Sequence, residues 1–277
     1  MKTGFKVIAL DIDGTLLTKQ QKISALTWQA IKHTQKKGIK LILVTGRHHM
    51  MATSLHAQLE LDTPIICANG AYIYDPNQKK ITEGSPLNFE QKLQLIPLIE
   101  KYAFDVICYY TNGIGHQPQN RLIQKAKMYF DSKPEEVAPI FFEHYTIGHL
   151  LGFEDELWKM DLINSDPAAI DSFIAELSSE HSFEFHRTSK NGLEIMDYHN
   201  SKGSRLHSWV IKRGFDMSQV IAFGDNQNDI SMLSQVGLGV AMGNATDEVK
   251  QSSHCLTKSN EEDGIALLLA EVLSLSL

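Results

Sequence analysis

The chain of 277 residues is 43% hydrophobic and 21% charged, ordinary globular usage that can form a core in one large domain or two modest ones. A formal net charge of -7 without any Lys/Arg-rich run argues against a nucleic-acid partner. Cys67, Cys108 and Cys255 lack CxxC spacing, against a disulfide framework or zinc site, and no apolar run approaches the ~18 residues of a membrane span, so a cytoplasmic protein without a membrane partner is expected.

In chain order, residues 7–10 are predicted as a buried strand closed by the polar stretch from Asp11 to Thr15. Ser24 caps a helix predicted to about Lys37 and ended by Gly38. Residues 40–44 make a second strand, followed by Thr45-Gly46-Arg47 and a helical stretch, and residues 64–68 a third, closed by Asn69-Gly70. Near-continuous apolar strands alternating with helices indicate a parallel sheet with helices on both faces. Between about Ser85 and Lys190 the pattern changes to helices near 89–102 and 167–179, and strands near 105–110, 157–163 and 183–187. The first pattern then returns, with a helix at 202–213, a strand at 220–223, a helix from Asn228, short strands at 238–241 and 254–257, and a C-terminal helix from about Glu261. The expected fold class is α/β, with a discontinuous core of residues 1–84 and 190–277 and an inserted α+β domain at 85–189.

Four segments place polar groups where a predicted strand ends or a helix opens, and in open α/β sheets the ligand crevice lies at the strand C-terminal ends. In Asp11-Ile12-Asp13-Gly14-Thr15, residues two apart point the same way, so Asp11 and Asp13 face one cleft. Carboxylates that close repel unless a cation or proton separates them. A lone DxD is by default an acidic turn, but this one follows the apolar strand of VIALDIDGTLL. Thr45-Gly46-Arg47 offers a hydroxyl, an accessible N–H and a helix N-terminus, which suits a phosphate dianion; by itself a Thr-Gly pair is only a turn. Asn200-Ser201-Lys202-Gly203 opens a helix, where Lys202 gains nothing from the dipole and alone would be a surface lysine. In Gly224-Asp225-Asn226-Gln227-Asn228-Asp229, helix capping explains Asn228 but not Asp225. Magnesium takes hard oxygen ligands, a need that Asp11, Asp225 and the Asp13 carbonyl would meet.

In this order and context DIDGTLL, TGR, NSKG and GDNQND resemble the four motifs of the haloacid dehalogenase superfamily, over roughly residues 1–83 and 190–277. The position of the inserted module resembles the type IIB cap of the Cof-type branch. The strings VTGRHH, LDTPIICANGAYIYD and AFGDNQNDISML are further similar to the bacterial pyridoxal phosphate phosphatases of that branch. The resemblance implies magnesium-dependent hydrolysis of a small-molecule phosphomonoester, pyridoxal 5′-phosphate first and a sugar phosphate second. It makes Asp11 the nucleophile and Asp13 the general acid and base. Thr45, Lys202, Asn228 and the backbone of Ile12 and Gly46 would hold phosphoryl oxygens; Asp11, Asp13 and Asp225 would hold magnesium. Asp229 would orient Lys202 or a metal-bound water. A phosphotransferase or mutase on the same core is one rival. A phospho-switch like a response-regulator receiver is another, disfavoured by Asp13 and the inserted module.

His48 and His49 either meet substrate or begin a solvent-exposed helix. The 12 histidines show no HxxxH or HExxH spacing, so no zinc site is expected. Tyr72, Tyr109, Tyr110 and Trp158 are expected in the core rather than in a pocket, while His116, Arg187 and Glu194 are candidates for substrate contact in the inserted module.

Overall fold

A computed structural model describes residues 4–118, 120–132, 138–177 and 182–276. In chain order the strands are β1 (Val7–Leu10), β2 (Lys40–Val44), β3 (Ile65–Cys67), β4 (Tyr72–Asp75), β5 (Lys80–Gly84), β6 (Asp105–Tyr110), β7 (Ile114–His116), β8 (Phe141–Glu143), β9 (Leu157–Ile163), β10 (Phe183–Ser189), β11 (Gly192–Asp197), β12 (Val220–Gly224), β13 (Leu238–Ala241) and β14 (Cys255–Leu256). The helices are α1 (Ala25–Lys36), α2 (His49–Gln58), α3 (Phe89–Lys101), α4 (Arg121–Asp131), α5 (Ile147–Leu151), α6 (Pro167–Leu177), α7 (Lys202–Lys212), α8 (Ile230–Leu233), α9 (Asp247–Gln251) and α10 (Gly264–Leu273). The last two positions of the helix expected at 167–179 lie outside the described residues.

The chain divides into two compact units. The first holds the residues up to Gly46, Glu60–Gly70 and those from Ser201 onward. Its sheet runs in the order β14-β13-β12-β1-β2-β3, with every pairing parallel. All residues of β1 and β12 are buried, which is why they carry no polar alternation. Helices cover both faces, with α1 packed on α10 and α7 on α8. From β1 the chain crosses to β2 on one side, and from β12 to β13 on the other. The paired ends Leu10 and Phe223 are therefore the point where the strand order reverses, the place at which open α/β sheets bind ligands.

The second unit holds Arg47–Leu59 and Ala71–Asn200. Its 6-stranded sheet has the order β10-β11-β9-β6-β7-β8, antiparallel except for β7 with β8. Alternation divides β6: Val106, Cys108 and Tyr110 join the main core with Leu95 of α3, Leu150 of α5 and Phe173 of α6, while Ile107 packs with Ile114 and Ile123. Three pieces lie across the boundaries expected after residues 84 and 189, namely α2, the β4–β5 hairpin and β11. Every residue of β11 is buried and it pairs with β10 and β9 on its two edges, so its apolar run belongs to this sheet.

Candidate active site

Asp11 follows the last residue of β1, with 5% of its surface exposed, and its N–H donates to the Phe223 carbonyl at 3.1 Å. Lys202 arrives from the first position of α7, whose N-cap Ser201 accepts from the Ser204 N–H. The helix dipole does not favour a cation there, and side chains supply the compensation. Lys202 Nζ donates to Asp11 Oδ1 at 2.7 Å and to Asp229 Oδ1 at 2.6 Å, with 1% of the lysine exposed. Asp229 is spent on this scaffold: its Oδ2 accepts from the Asp225 and Asn226 N–H groups at 2.9 and 3.0 Å. Gly224 makes room for it, since a Cβ there would stand 2.5 Å from the Asp229 Cβ.

Asp225 begins the turn after β12, and its Oδ1 accepts from Thr15 Oγ1 at 2.8 Å. Gly14 lets the two loops meet: its φ is 82°, and a Cβ there would stand 2.3 Å from Asp225 Oδ2. Asp13 is exposed at the start of the same turn, where the Leu16 and Leu17 N–H groups both return to the Ile12 carbonyl at 3.0 Å. The Ile12 side chain itself is buried beneath.

Thr45 follows β2 and Gly46 ends that stretch of the first unit. Asn69 links this loop to Asn228, donating from its N–H to the Thr45 carbonyl at 3.0 Å and accepting from Asn228 Nδ2 at 2.9 Å. It does so from a left-handed φ of 58°. The residues predicted to be catalytic, to hold phosphate or to hold metal thus all lie in the first unit, on loops leaving β1, β2 and β12 or at the start of α7. The sequence reading gives Thr15 no role, and takes Asn69 only as the start of a 69–74 loop that could help discriminate substrates. Thr15 sits inside the DIDGT string, and Asn69 sits before a glycine, so both carried a local signal.

Burial lifts the Asp11 carboxyl well above the usual carboxylate range; Lys202 opposes this, and Asp229 and Asp225 add to it. Asp225 is raised to about 6 by burial and by Asp229, against the Thr15 hydrogen bond and Lys202. Burial works to lower the Lys202 ammonium, but Asp11 and Asp229 outweigh it and hold the group above an ordinary lysine. Oxygens of Asp11, Asp225 and Asp229 lie within 4.8 Å of one another, and one ammonium bridges Asp11 and Asp229, so with all three carboxylates ionised the group carries two uncompensated negative charges. A divalent cation would balance them. With Lys202 on Asp11 Oδ1 and Thr15 on Asp225 Oδ1, the remaining oxygen of each is the hard donor such an ion takes, so the residues fit magnesium.

His48 and His49 do not begin a solvent-exposed helix. His48 is fully buried as the N-cap of α2: its Nδ1 accepts from the Met50 N–H at 3.3 Å and its Nε2 donates to the Tyr110 carbonyl at 2.7 Å. His49 meets the Tyr72 hydroxyl at 3.0 Å and stacks on Tyr74. Burial lowers their pKa values to about 4 and about 3, so both rings are neutral at pH 7. Tyr72, Tyr110 and Trp158 are core residues, as expected. Of the candidates in the inserted module, Arg187 pairs with Asp171, Glu194 with the buried Lys159, and His116 Nε2 meets Lys127 Nζ at 3.2 Å.

Residues 8–269 match the family model described as haloacid dehalogenase-like hydrolase. The chain is 34% identical over 261 residues to the pyridoxal phosphate phosphatase YbhA of Escherichia coli K12, covering 94% of this chain and 96% of that one. It is 31% identical to the 5-amino-6-(5-phospho-D-ribitylamino)uracil phosphatase YcsE of Bacillus subtilis 168, covering 94% of this chain and 93% of the relative. A solved subclass IIB sugar phosphatase of the superfamily superposes with a TM-score of 0.82 at 22% identity, covering 96% of this chain and 98% of the other, a likeness of fold.

Proposed function

The chain belongs to the haloacid dehalogenase-like hydrolase family and is a phosphatase, and from that premise we propose that it hydrolyses pyridoxal 5′-phosphate through a phosphorylated Asp11, with magnesium as cofactor. The observation that carries the proposal is the cluster of Asp11, Asp225 and Asp229 at the ends of β1 and β12, with a buried ammonium bridging Asp11 and Asp229. An Asp11 oxygen attacks phosphorus, the bond from phosphorus to the ester oxygen breaks, and the departing alkoxide takes a proton from Asp13. Water then attacks the acyl phosphate and gives its proton to Asp13, releasing phosphate and the Asp11 carboxylate. Lys202 offsets the charge of Asp11 as the dianion approaches, and Thr45, Asn228 and the backbone of Ile12 and Gly46 fix the phosphoryl oxygens. Magnesium, held by Asp11, Asp225 and the Asp13 carbonyl, would supply further positive charge to the phosphoryl group. Asp229 acts through Lys202, because both its oxygens are already engaged.

EDTA is expected to abolish turnover and magnesium to restore it, while calcium, with longer bonds and more ligands, inhibits. Asp225→Ala should leave the fold intact and weaken magnesium binding by roughly 100-fold, measured calorimetrically in the absence of substrate. Full activity in metal-free, EDTA-treated protein would end the metal assignment.

The phosphoryl-holding groups are blind to the rest of the ester, so discrimination must come from other side chains. The E. coli relative supports pyridoxal phosphate, and the VTGRHH, LDTPIICANGAYIYD and AFGDNQNDISML strings support it again. A site that pairs sugar hydroxyls rejects analogues lacking them by about 10⁴, whereas an apolar slot for a pyridine ring discriminates weakly. Pyridoxal phosphate should therefore lead a phosphomonoester panel, with appreciable turnover of other small phosphates. A hexose or pentose phosphate with kcat/KM about tenfold above it would replace the substrate, and the phosphatase would remain.

A further inference from the structure

The loop that carries Asp13 runs from the end of β1 to Ser24, the N-cap of α1. The Leu16 and Leu17 N–H groups return to Ile12, the Thr18 N–H and Oγ1 reach the Lys22 carbonyl at 2.9 and 3.0 Å, and the Gln21 N–H returns to the Thr18 carbonyl at 2.8 Å. Besides Thr15 Oγ1 on Asp225, the loop is held from far along the chain at four further points. Asn244 Nδ2 donates to the Gly14 carbonyl at 2.8 Å, and Asn260 Nδ2 to the Leu17 carbonyl at 2.7 Å. The Lys19 N–H donates to Glu261 Oε1 at 2.6 Å, and Ser24 Oγ to the Asp263 carboxylate. The anchors are tied to each other, since Asn244 Oδ1 accepts from the Asn260 N–H at 3.2 Å. They are also braced from within: Ser259 Oγ donates to Glu262 Oε2 at 2.6 Å, Thr257 Oγ1 donates to the Gly264 carbonyl at 2.6 Å, and Asp263 takes a left-handed φ of 59°.

Two features set this ladder apart from ordinary loop packing. Its first rung grips the carbonyl next to Asp13, and the same Asn244 amide stands 3.5 Å from Asp225 Oδ2. Its rungs at Gly14, Leu17, Lys19 and Ser24 meet 244, 260, 261 and 263 in ascending order, so the loop is held along its length. We propose that Asn244, Asn260 and Glu261 are positioning residues for hydrolysis, forming a clamp that holds the Gly14–Lys19 main chain and so keeps Asp13 in register with Asp11 and Asp225. This rests on Asp13 as the proton carrier. A displacement of about 1 Å at a reacting group costs roughly 10²-fold in rate, while phosphate binding through Thr45, Lys202 and Asn228 is untouched. The clamp therefore acts on kcat and not on KM.

The test compares Asn260→Asp, which keeps the shape but cannot donate to Leu17, with Glu261→Ala and Glu261→Gln, whose amide oxygen still accepts from the Lys19 N–H. Asn260→Asp should lower kcat about tenfold or more with KM changed less than about twofold. Glu261→Ala should lower kcat several-fold, and Glu261→Gln should restore it. In the free protein, amide exchange at Leu17–Lys19 should quicken about tenfold in Asn260→Asp and Glu261→Ala and stay unchanged in β12. Glu261 is exposed, so its pair of variants decides the matter even if the Asn260 variant folds poorly. The clamp is overturned if kcat stays within about twofold in Glu261→Ala, if Glu261→Gln is as damaged as Glu261→Ala, or if the loss falls on KM. Asp13→Asn with full turnover would instead remove the role given to Asp13, leaving the exchange result to stand by itself.

Discussion

Asp11→Asn is expected to abolish turnover, with a fall in kcat of about 10⁴–10⁶-fold, the range seen when a covalent nucleophile is removed. The substitution is nearly isosteric, so an accepted hydrogen bond from Lys202 can persist through the amide oxygen. What disappears is the anionic oxygen that forms the bond to phosphorus; an amide cannot supply it at neutral pH. The assignment has a positive arm as well. Enzyme quenched during turnover and treated with borohydride should yield a reduced residue at position 11, because an acyl phosphate is reduced where a free carboxylate is not. Asp13→Asn should accumulate that intermediate, since in the proposed mechanism Asp13 acts again when water attacks. A label found on any other residue would sink the nucleophile assignment.

Lys202→Met is expected to damage both activity and stability. The methionine has a similar length and fills the channel, but it leaves Asp11 and Asp229 facing each other without the ammonium that now bridges them at 2.7 and 2.6 Å. Removing one partner of a buried ion pair costs about 3–5 kcal/mol, because the remaining charge stays desolvated. The urea midpoint of metal-free protein should fall accordingly. The rate should drop by about 10³-fold, the order found when one stabilising donor is taken from a reacting oxyanion. Arginine should not substitute, since its planar fork presents charge differently from a compact ammonium in a channel that leaves 1% of the lysine exposed. Turnover of Lys202→Met within about tenfold of wild type would show that the lysine serves only the fold.

The first unit was legible because its strands are buried on both faces and appear as unbroken apolar runs, with the chemistry set at their ends. Val7–Leu10 and Val220–Gly224 each lead straight into a carboxylate, and the parallel register that puts Leu10 opposite Phe223 does the rest. The second unit was less legible for physical reasons. Strands β7 and β8 have three residues each, too few for alternation to show, and their pairing to one another spans α4. Lys159 is a buried cation in the middle of β9, which a hydropathy pattern scores as a surface position. The sequence leaves His48 between substrate contact and an exposed helix start because a histidine after Gly-Arg has no local mark of burial; the Tyr110 carbonyl that accepts its Nε2 proton lies 62 residues away. The Asn244 and Asn260 contacts with Gly14 and Leu17 span 230 and 243 residues, so no local pattern could have announced them.

The state in which Lys202 is held bears on what the pocket can safely admit. An amine condenses with an aldehyde only through its neutral form, and enzymes that capture carbonyl compounds on lysine do so by depressing its pKa. Here the neighbouring carboxylates push in the opposite direction, keeping the nitrogen a saturated ammonium with no lone pair to offer. Both Asp11 and Asp229 also occupy its N–H directions, which hinders approach of a third group. An aldehyde-bearing ester such as the proposed substrate could therefore come and go beside this lysine without forming an imine, and the site would escape self-inactivation by it.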